Sequence, residues 1–293
     1  MPSGPALLQY AISGLTTGAV YALVALGYNL VYNATRVVNF AQGDFLSLGG
    51  LMMYSLLAAA GLPLIPALLL ALAGAALAGA AVERLCLRPA KSREIMVLIF
   101  ITVAASILLR GGMKHVWGKQ ALALPPWSRE VPLKVMGAAF TPQNLWVMGV
   151  TLAAILALSL FFSRTTVGKA MRAMAANPRA AALMGIDTRG LATLSFALAG
   201  GLGALAGVLI TPITSLSYDV GLLMGLKGFA AAVLGGYGCF AGAVAGGLGL
   251  GLLESLGAGL LSSAYKDVIA FVVLLAVLFL RPQGLFGSGE GQR

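Results

Sequence analysis

Five long stretches of this chain, residues 1–35, 45–82, 135–163, 190–218 and 228–253, contain no Asp, Glu, Lys or Arg. Soluble domains carry charge on about a quarter of their positions; here the figure is 10%, against 59% hydrophobic residues in 293. A helix needs about 20 apolar residues to cross hydrocarbon, so each stretch holds at least one span, and 45–82 holds two. Inside lipid a backbone must satisfy its own polar groups. The expected fold is therefore all-α: a polytopic membrane protein of about nine helices (8 to 10), some broken at Gly-rich turns. We place them at about 7–32, 40–60, 63–83, 95–112, 143–162, 190–212, 222–237, 241–261 and 267–281. Residues 1–293 read as one transmembrane domain.

The same composition excludes whole classes of chemistry. A single His, His115, rules out an HExxH zinc site, and no Ser lies in a G-x-S-x-G elbow. Cys86 and Cys239 stand far apart with no C-x-x-C partner, so they read as small packing residues. Gly168-Lys169 runs on into Ala170, so no phosphate-cradling P-loop exists and any ATP must be bound by another chain. No cofactor is expected on this one. The net charge of +10 does not point to nucleic acid, because the basic residues fall between apolar spans and do not interleave with aromatics. The partner they suit is a lipid bilayer.

Nine spans put the termini on opposite sides. No Lys or Arg precedes Arg36, so the first span lacks the charged start of a signal peptide and its N-terminus is expected outside. The loops 84–94 (Arg84, Arg88, Lys91, Arg93) and 163–189 then share a side, with Arg281 and Arg293, and the positive-inside rule makes that side cytoplasmic. The segment 110–134, with Arg110, Lys114, Lys119, Arg129 and Lys134, runs against the rule because it must lie outside. Glycines spaced four apart (Gly14/Gly18, Gly203/Gly207, Gly242/Gly246, Gly247/Gly251) predict close helix packing or a moving helix interface. The cluster Gly235-Gly236-Tyr237-Gly238 predicts a break or tight turn.

Residues 163–189 form the most informative loop. Val167, Met171 and Met174 make an apolar stripe beside Lys169 and Arg172. Asn177 and Pro178 supply a cap and a first-turn proline for a short helix over about 178–184, which Gly185 can end. Two readings stand: a basic amphipathic segment on anionic lipid, or a coupling helix seated in the groove of a soluble motor subunit. In the second, small Ala180, Ala181 and Ala182 allow close approach and Arg179 meets acidic groups.

Several segments together resemble a known family: GAVYALVALG (18–27), NFAQGD (39–44), Glu83-Arg84 with Arg88-Pro89, the AANP loop ending at Gly185-Ile186, GLKGF (225–229), AVLGG (232–236), YKD (265–267) and RPQGLFG (281–287). In this order they look like the LivH-type permease of branched-chain amino acid ABC importers. The resemblance spans nearly the whole chain; YGCF at 237–240 departs from the smaller, more polar turn expected. It implies a bacterial inner-membrane subunit that pairs with a paralogous LivM-like permease or a second copy. It also implies two cytoplasmic ATPase subunits that use ATP and Mg, and a periplasmic amino-acid-binding protein. The family moves leucine, isoleucine and valine; close relatives carry urea, amides or other small amino acids.

Polar residues within the spans are the substrate-path candidates: Thr17, Tyr21, Asn39, Gln42, Asp44, Lys227 and Glu254. Asn39 and Gln42 can instead form a capping box. Asp44 needs a partner or water, and Thr16, Thr17, Tyr21 and Asn29 are candidates to share a polar path with it. Lys227 and Glu254 are either a structural ion pair or the groups that meet a zwitterion. Lys266-Asp267 reads as an interfacial anchor and helix cap, and Trp117, Trp127 and Trp146 as interfacial anchors. Two rivals remain. A proton- or sodium-coupled carrier using Asp44 or Glu254 would show corresponding broken helices in two halves, which the sequence lacks. A membrane enzyme or anchor would need the nucleophile, metal ligands or soluble domain that are missing.

Overall fold

The computed structural model describes residues 4–92, 94–128, 131–135, 137–260, 262–281 and 283–287; Arg93, Arg129 and Arg293 lie outside them. The architecture is helical, as expected. Helix α1 (Gly4–Thr35) is apolar all round and buried without a break from Gly18 to Val31, so it forms the central post. Around it stand α2 (Gln42–Tyr54), α8 (Thr188–Ile210), α9 (Val220–Gly235) and α10 (Phe240–Leu260). Helices α3 (Leu64–Ala81), α4 (Ile95–Trp117), α5 (Pro142–Arg164) and α11 (Lys266–Leu280) lie outermost and expose large side chains such as Leu77, Phe100, Leu108 and Phe279, which suits contact with lipid tails. Two short helices, α6 (Thr166–Ala176) and α7 (Pro178–Leu183), fill the basic loop.

Among the described residues, seven helices are long and apolar enough to cross a membrane. The other two expected spans fall short in informative ways. Helix α9 has 16 residues. The second span is α2 followed by a π-helical stretch, Ser55–Ala59, and it begins inside the bundle. The chain reverses at Arg36, whose φ is +58°, and 37–41 turns back inward without helix. There the Phe40 amide donates to Thr102 Oγ1 (3.2 Å), two turns into α4.

Glycine governs the close approaches. A Cβ on Gly18 would lie 2.9 Å from the Gly247 carbonyl, and one on Gly14 2.9 Å from that of Gly251. The two four-residue spacings on α1 and α10 thus interlock, as the small-residue rule predicts. Gly203 and Gly207 seat α8 on α2, while Gly242 and Gly246 seat α10 on α9. Gly236 (φ +97°) and Gly238 (φ +88°) make the tight turn between α9 and α10, and the C-terminal segment covers that turn. The amides of Leu285 and Phe286 donate to the carbonyls of Leu234 and Gly235, which the helix end would otherwise leave bare.

Contacts sort the loops between two ends of the bundle. At one end Arg36 Nη2 donates to the Ala175 carbonyl (2.6 Å), Thr193 Oγ1 to Glu83 Oε2 (2.6 Å), and Asn33 Nδ2 to the Gly238 carbonyl (3.2 Å). This gathers the end of α1, the π-helical turn Val82–Leu87 after α3, α6 and the α9–α10 turn. At the other end Trp117 Nε1 donates to Ser55 Oγ (2.6 Å), Leu122 bridges Leu216, Ser255 Oγ donates to the Tyr10 carbonyl (2.7 Å), and Gly137 packs on Pro5. A small hairpin, β1 (Leu133–Val135) against β2 (Ala138–Phe140), completes that end. The described residues of the two basic loops therefore share one end, and those between Gly118 and Thr141 lie at the other. Helix α4 continues to Trp117 and not to about 112, because 113–117 keep their helical bonds; Arg110 and Lys114 are helix residues and not loop residues.

Candidate functional site

The sequence-predicted polar residues separate into two buried groups. The first joins α1, α9, α10 and α11. Lys227 Nζ sits 2.7 Å from Glu254 Oε1 and 2.6 Å from Asp267 Oδ1; Lys266 Nζ lies 3.5 Å from Glu254 Oε1, and Tyr21 OH donates to Glu254 Oε2 at 2.9 Å. Glu254 is 1% exposed, yet both of its oxygens are taken. The expected Lys227–Glu254 pair is present, with partners the sequence reading did not assign to it. Asp267, 61% exposed on its side chain, was expected to cap α11; it makes no cap bond and instead turns to Lys227. Thr17 donates to the Ser13 carbonyl and lines a cavity of about 370 Å³ with Glu254 and Lys266 at the N-terminal end of α1.

The second group lies where α2 begins. Asn39, Gln42 and Asp44 are fully buried. The capping box does not form: Ala41 is the N-cap residue and no side chain caps the helix. Asn39 Oδ1 accepts from the Ala41 amide (3.1 Å), and Gln42 Nε2 reaches across to the Ala199 carbonyl of α8 (2.9 Å). The polar path expected from Asp44 to α1 is also not made. Thr16 bonds the Ile12 carbonyl, Tyr21 takes Glu254, and Asn29 bonds the α9–α10 turn at Cys239. Asp44 Oδ1 faces Arg110 Nε of α4 at 3.3 Å, and Arg110 Nη2 also donates to Ser106 (3.2 Å). Arg110 stands near the end of the expected span, close to Lys114, so the sequence carries no local signal for this pair. Asn39 Nδ2, Gln42 Oε1 and the Asp44 oxygens find no hydrogen-bond partner among the described residues. Buried polar atoms are ordinarily paired, and non-helical backbone at membrane depth is tolerated where it is buried in protein or lines a water-filled path.

The third site is the basic loop. Thr165 caps α6 by accepting from the Gly168 amide (2.9 Å), and Asn177 caps α7 by accepting from the amides of Arg179 (3.1 Å) and Ala180 (3.0 Å). Gly185 (φ +80°) ends the helix, with the Ile186 amide returning to the Ala181 carbonyl. Two members of the expected stripe, Met171 and Met174, face inward and the third, Val167, does not. Gly168 takes the place beside them, packed against the Phe161 and Phe162 backbone, while Val167 is exposed. Lys169, Arg172, Pro178, Arg179 and Ala182 are exposed, whereas Ala181 turns inward. The outermost groups are ones the sequence reading passed over: Leu183 is 89% exposed and Met184 81%.

These features define a multi-pass membrane protein with an exposed, rigidly capped helix at its basic end, an arrangement suited to transport coupled to another subunit. Residues 10–278 match the family described as branched-chain amino acid transport system, permease component, and the chain belongs to that family. BraD of Pseudomonas aeruginosa, a high-affinity branched-chain amino acid permease protein, is 33% identical over the full length of both chains. LivH of Escherichia coli K12 is 33% identical over 98% of this chain and 97% of its own. RbsC of Escherichia coli K12, a ribose import permease, is 29% identical over 89% and 82%. In fold, the chain resembles PsaBC from Streptococcus pneumoniae solved with Fab, at TM-score 0.50 and 16% identity over 92% of this chain and 91% of that one.

Proposed function

We propose that this chain is one half of the translocation pathway of an ABC importer that carries branched-chain amino acids across a bacterial inner membrane. Its fellow half is a paralogous permease or a second copy, two cytoplasmic ATPases bind and hydrolyse ATP with Mg, and a periplasmic binding protein delivers the substrate. The substrate class follows the relatives 33% identical over full length; the ribose permease, at 29%, is the more distant likeness. The observation that carries the coupling half of the reading is α7, a six-residue helix capped at both ends whose most exposed groups are Leu183 and Met184. So short a helix has no stability alone; it is anchored through its own buried Ala181 and presents its tip to a groove. Lys169, Arg172 and Arg179, exposed on the same basic loop, suit an acidic rim.

Within the bundle the two polar groups divide the work. Tyr21, Lys227 and Glu254 satisfy one another and act as a brace between helices, with Thr17 at its open edge. Asn39, Gln42 and Asp44 keep unpartnered atoms where the second span is broken, so they are the groups that line the path. The test is capture of the ATPase. Leu183→Asp or Met184→Asp should leave the permease inserted and paired but unable to copurify its ATPase, while Ala182→Asp weakens capture. An importer carrying all three changes that still assembles and hydrolyses ATP in response to loaded binding protein would overturn the assignment.

A further inference from the structure

Three carboxylates are buried among the described residues, and two have a cation: Asp44 faces Arg110 and Glu254 faces Lys227. Glu83, 6% exposed, has no Lys or Arg within 4 Å among the described residues and holds only the Thr193 hydroxyl. It lines a cavity of about 510 Å³ at the basic end of the bundle, between the end of α1, the turn after α3, and α8. Arg36, Arg88 and Arg189 line the same cavity and are exposed, and Leu98 and Phe196 give it apolar wall. The volume falls within the range of small-molecule sites. Arginines alone would suit a phosphate, but a buried carboxylate beside them repels one. A ligand with an ammonium, a carboxylate and a branched apolar side chain matches all three features, with guanidinium forks taking the carboxylate.

We propose that this cavity is a second amino-acid site, open to the cytoplasm, through which accumulated product slows the importer; the inference rests on the transport reading above. The link to the motor is direct, because Pro178, the first residue of α7, also lines the cavity. An amino acid held between Glu83 and the arginines therefore bears on the position of the coupling helix. By linkage it favours whichever coupling-helix arrangement binds it better.

The test uses the complete importer in proteoliposomes with ATP enclosed, binding protein and radiolabelled leucine outside, and unlabelled leucine, isovalerate, isoamylamine or inorganic phosphate enclosed. Enclosed leucine should lower the initial uptake rate several-fold, and the analogues that lack one charge should not. Glu83→Gln keeps an acceptor for Thr193 but no charge, and Arg189→Gln alters only an exposed residue. Each should match wild-type uptake without enclosed leucine and lose the inhibition with it; should Glu83→Gln fail to fold, Arg189→Gln carries the test. Uptake that ignores enclosed leucine, slows equally in wild type and Arg189→Gln, or responds to phosphate as well as to leucine would overturn the second site alone. A wild-type importer with no ATP-dependent leucine uptake would overturn the transport reading and this inference with it.

Discussion

Lys227 is the hub of the brace, because it touches two carboxylates on two different helices, Glu254 at 2.7 Å and Asp267 at 2.6 Å. Removing one partner of a buried ion pair typically costs about 3–5 kcal/mol, since the stranded charge keeps its desolvation penalty. Lys227→Met should therefore destabilise the protein by an amount toward the lower end of that range, because Lys266, 3.5 Å from Glu254, still offsets part of its charge. Glu254→Gln should cost less, because Asp267 still neutralises Lys227. The double variant should recover most of the stability and of the transport, since a brace has no need of charge itself. Thermal unfolding in detergent and uptake of leucine check this; a double variant that folds but does not transport would place the pair on the substrate path. Asn39→Leu should reduce uptake several-fold and cost about 1–3 kcal/mol of stability, because the buried Ala41 amide loses its acceptor. The Lys227–Glu254 contact was legible in the sequence because two isolated opposite charges in apolar helices have few other ways to be neutralised. Asp267 was not, since its chain neighbour Lys266 and the following apolar run describe an ordinary interfacial anchor equally well.

Helix α10 offers a matched comparison of two glycines. A Cβ on Gly247 would run into the backbone of Ala22, whereas one on Gly249 would meet nothing within 4 Å. Gly247→Ala should push α10 off α1 and cost about 1–3 kcal/mol; Gly249→Ala should gain roughly 0.5–1 kcal/mol through helix propensity alone. Unfolding curves of both variants decide it, and equal effects would mean that the interlock does not hold the helices. The spacing of four in the sequence announced this packing, and Asn177, Pro178 and Gly185 announced α7, because caps and small-residue ridges act locally. The inward turn at 36–41 had no such signal. Arg36 is not a residue that favours positive φ, and the segment is fixed by Thr102 and Ala199, which lie far away in the chain. The same distance hid Arg110, which reads as a loop charge until Asp44 is placed beside it.

The sharing of loops between the two ends of the bundle makes the topology testable as a unit. With Cys86 and Cys239 replaced, single cysteines at Lys91 and Arg179 should react with an impermeant thiol reagent only from the cytoplasm, and one at Lys119 only from outside. Labelling of Lys119 and Arg179 positions from one side would refute the arrangement. If separate ATPases acting on this permease drive transport, leucine uptake by reconstituted importer depends on them. Proteoliposomes holding this chain, its fellow permease and both ATPases should accumulate leucine when ATP is enclosed and binding protein is outside, and should stop when either is withheld. Uptake by this chain without ATPases, driven by a proton or sodium gradient, would contradict the account.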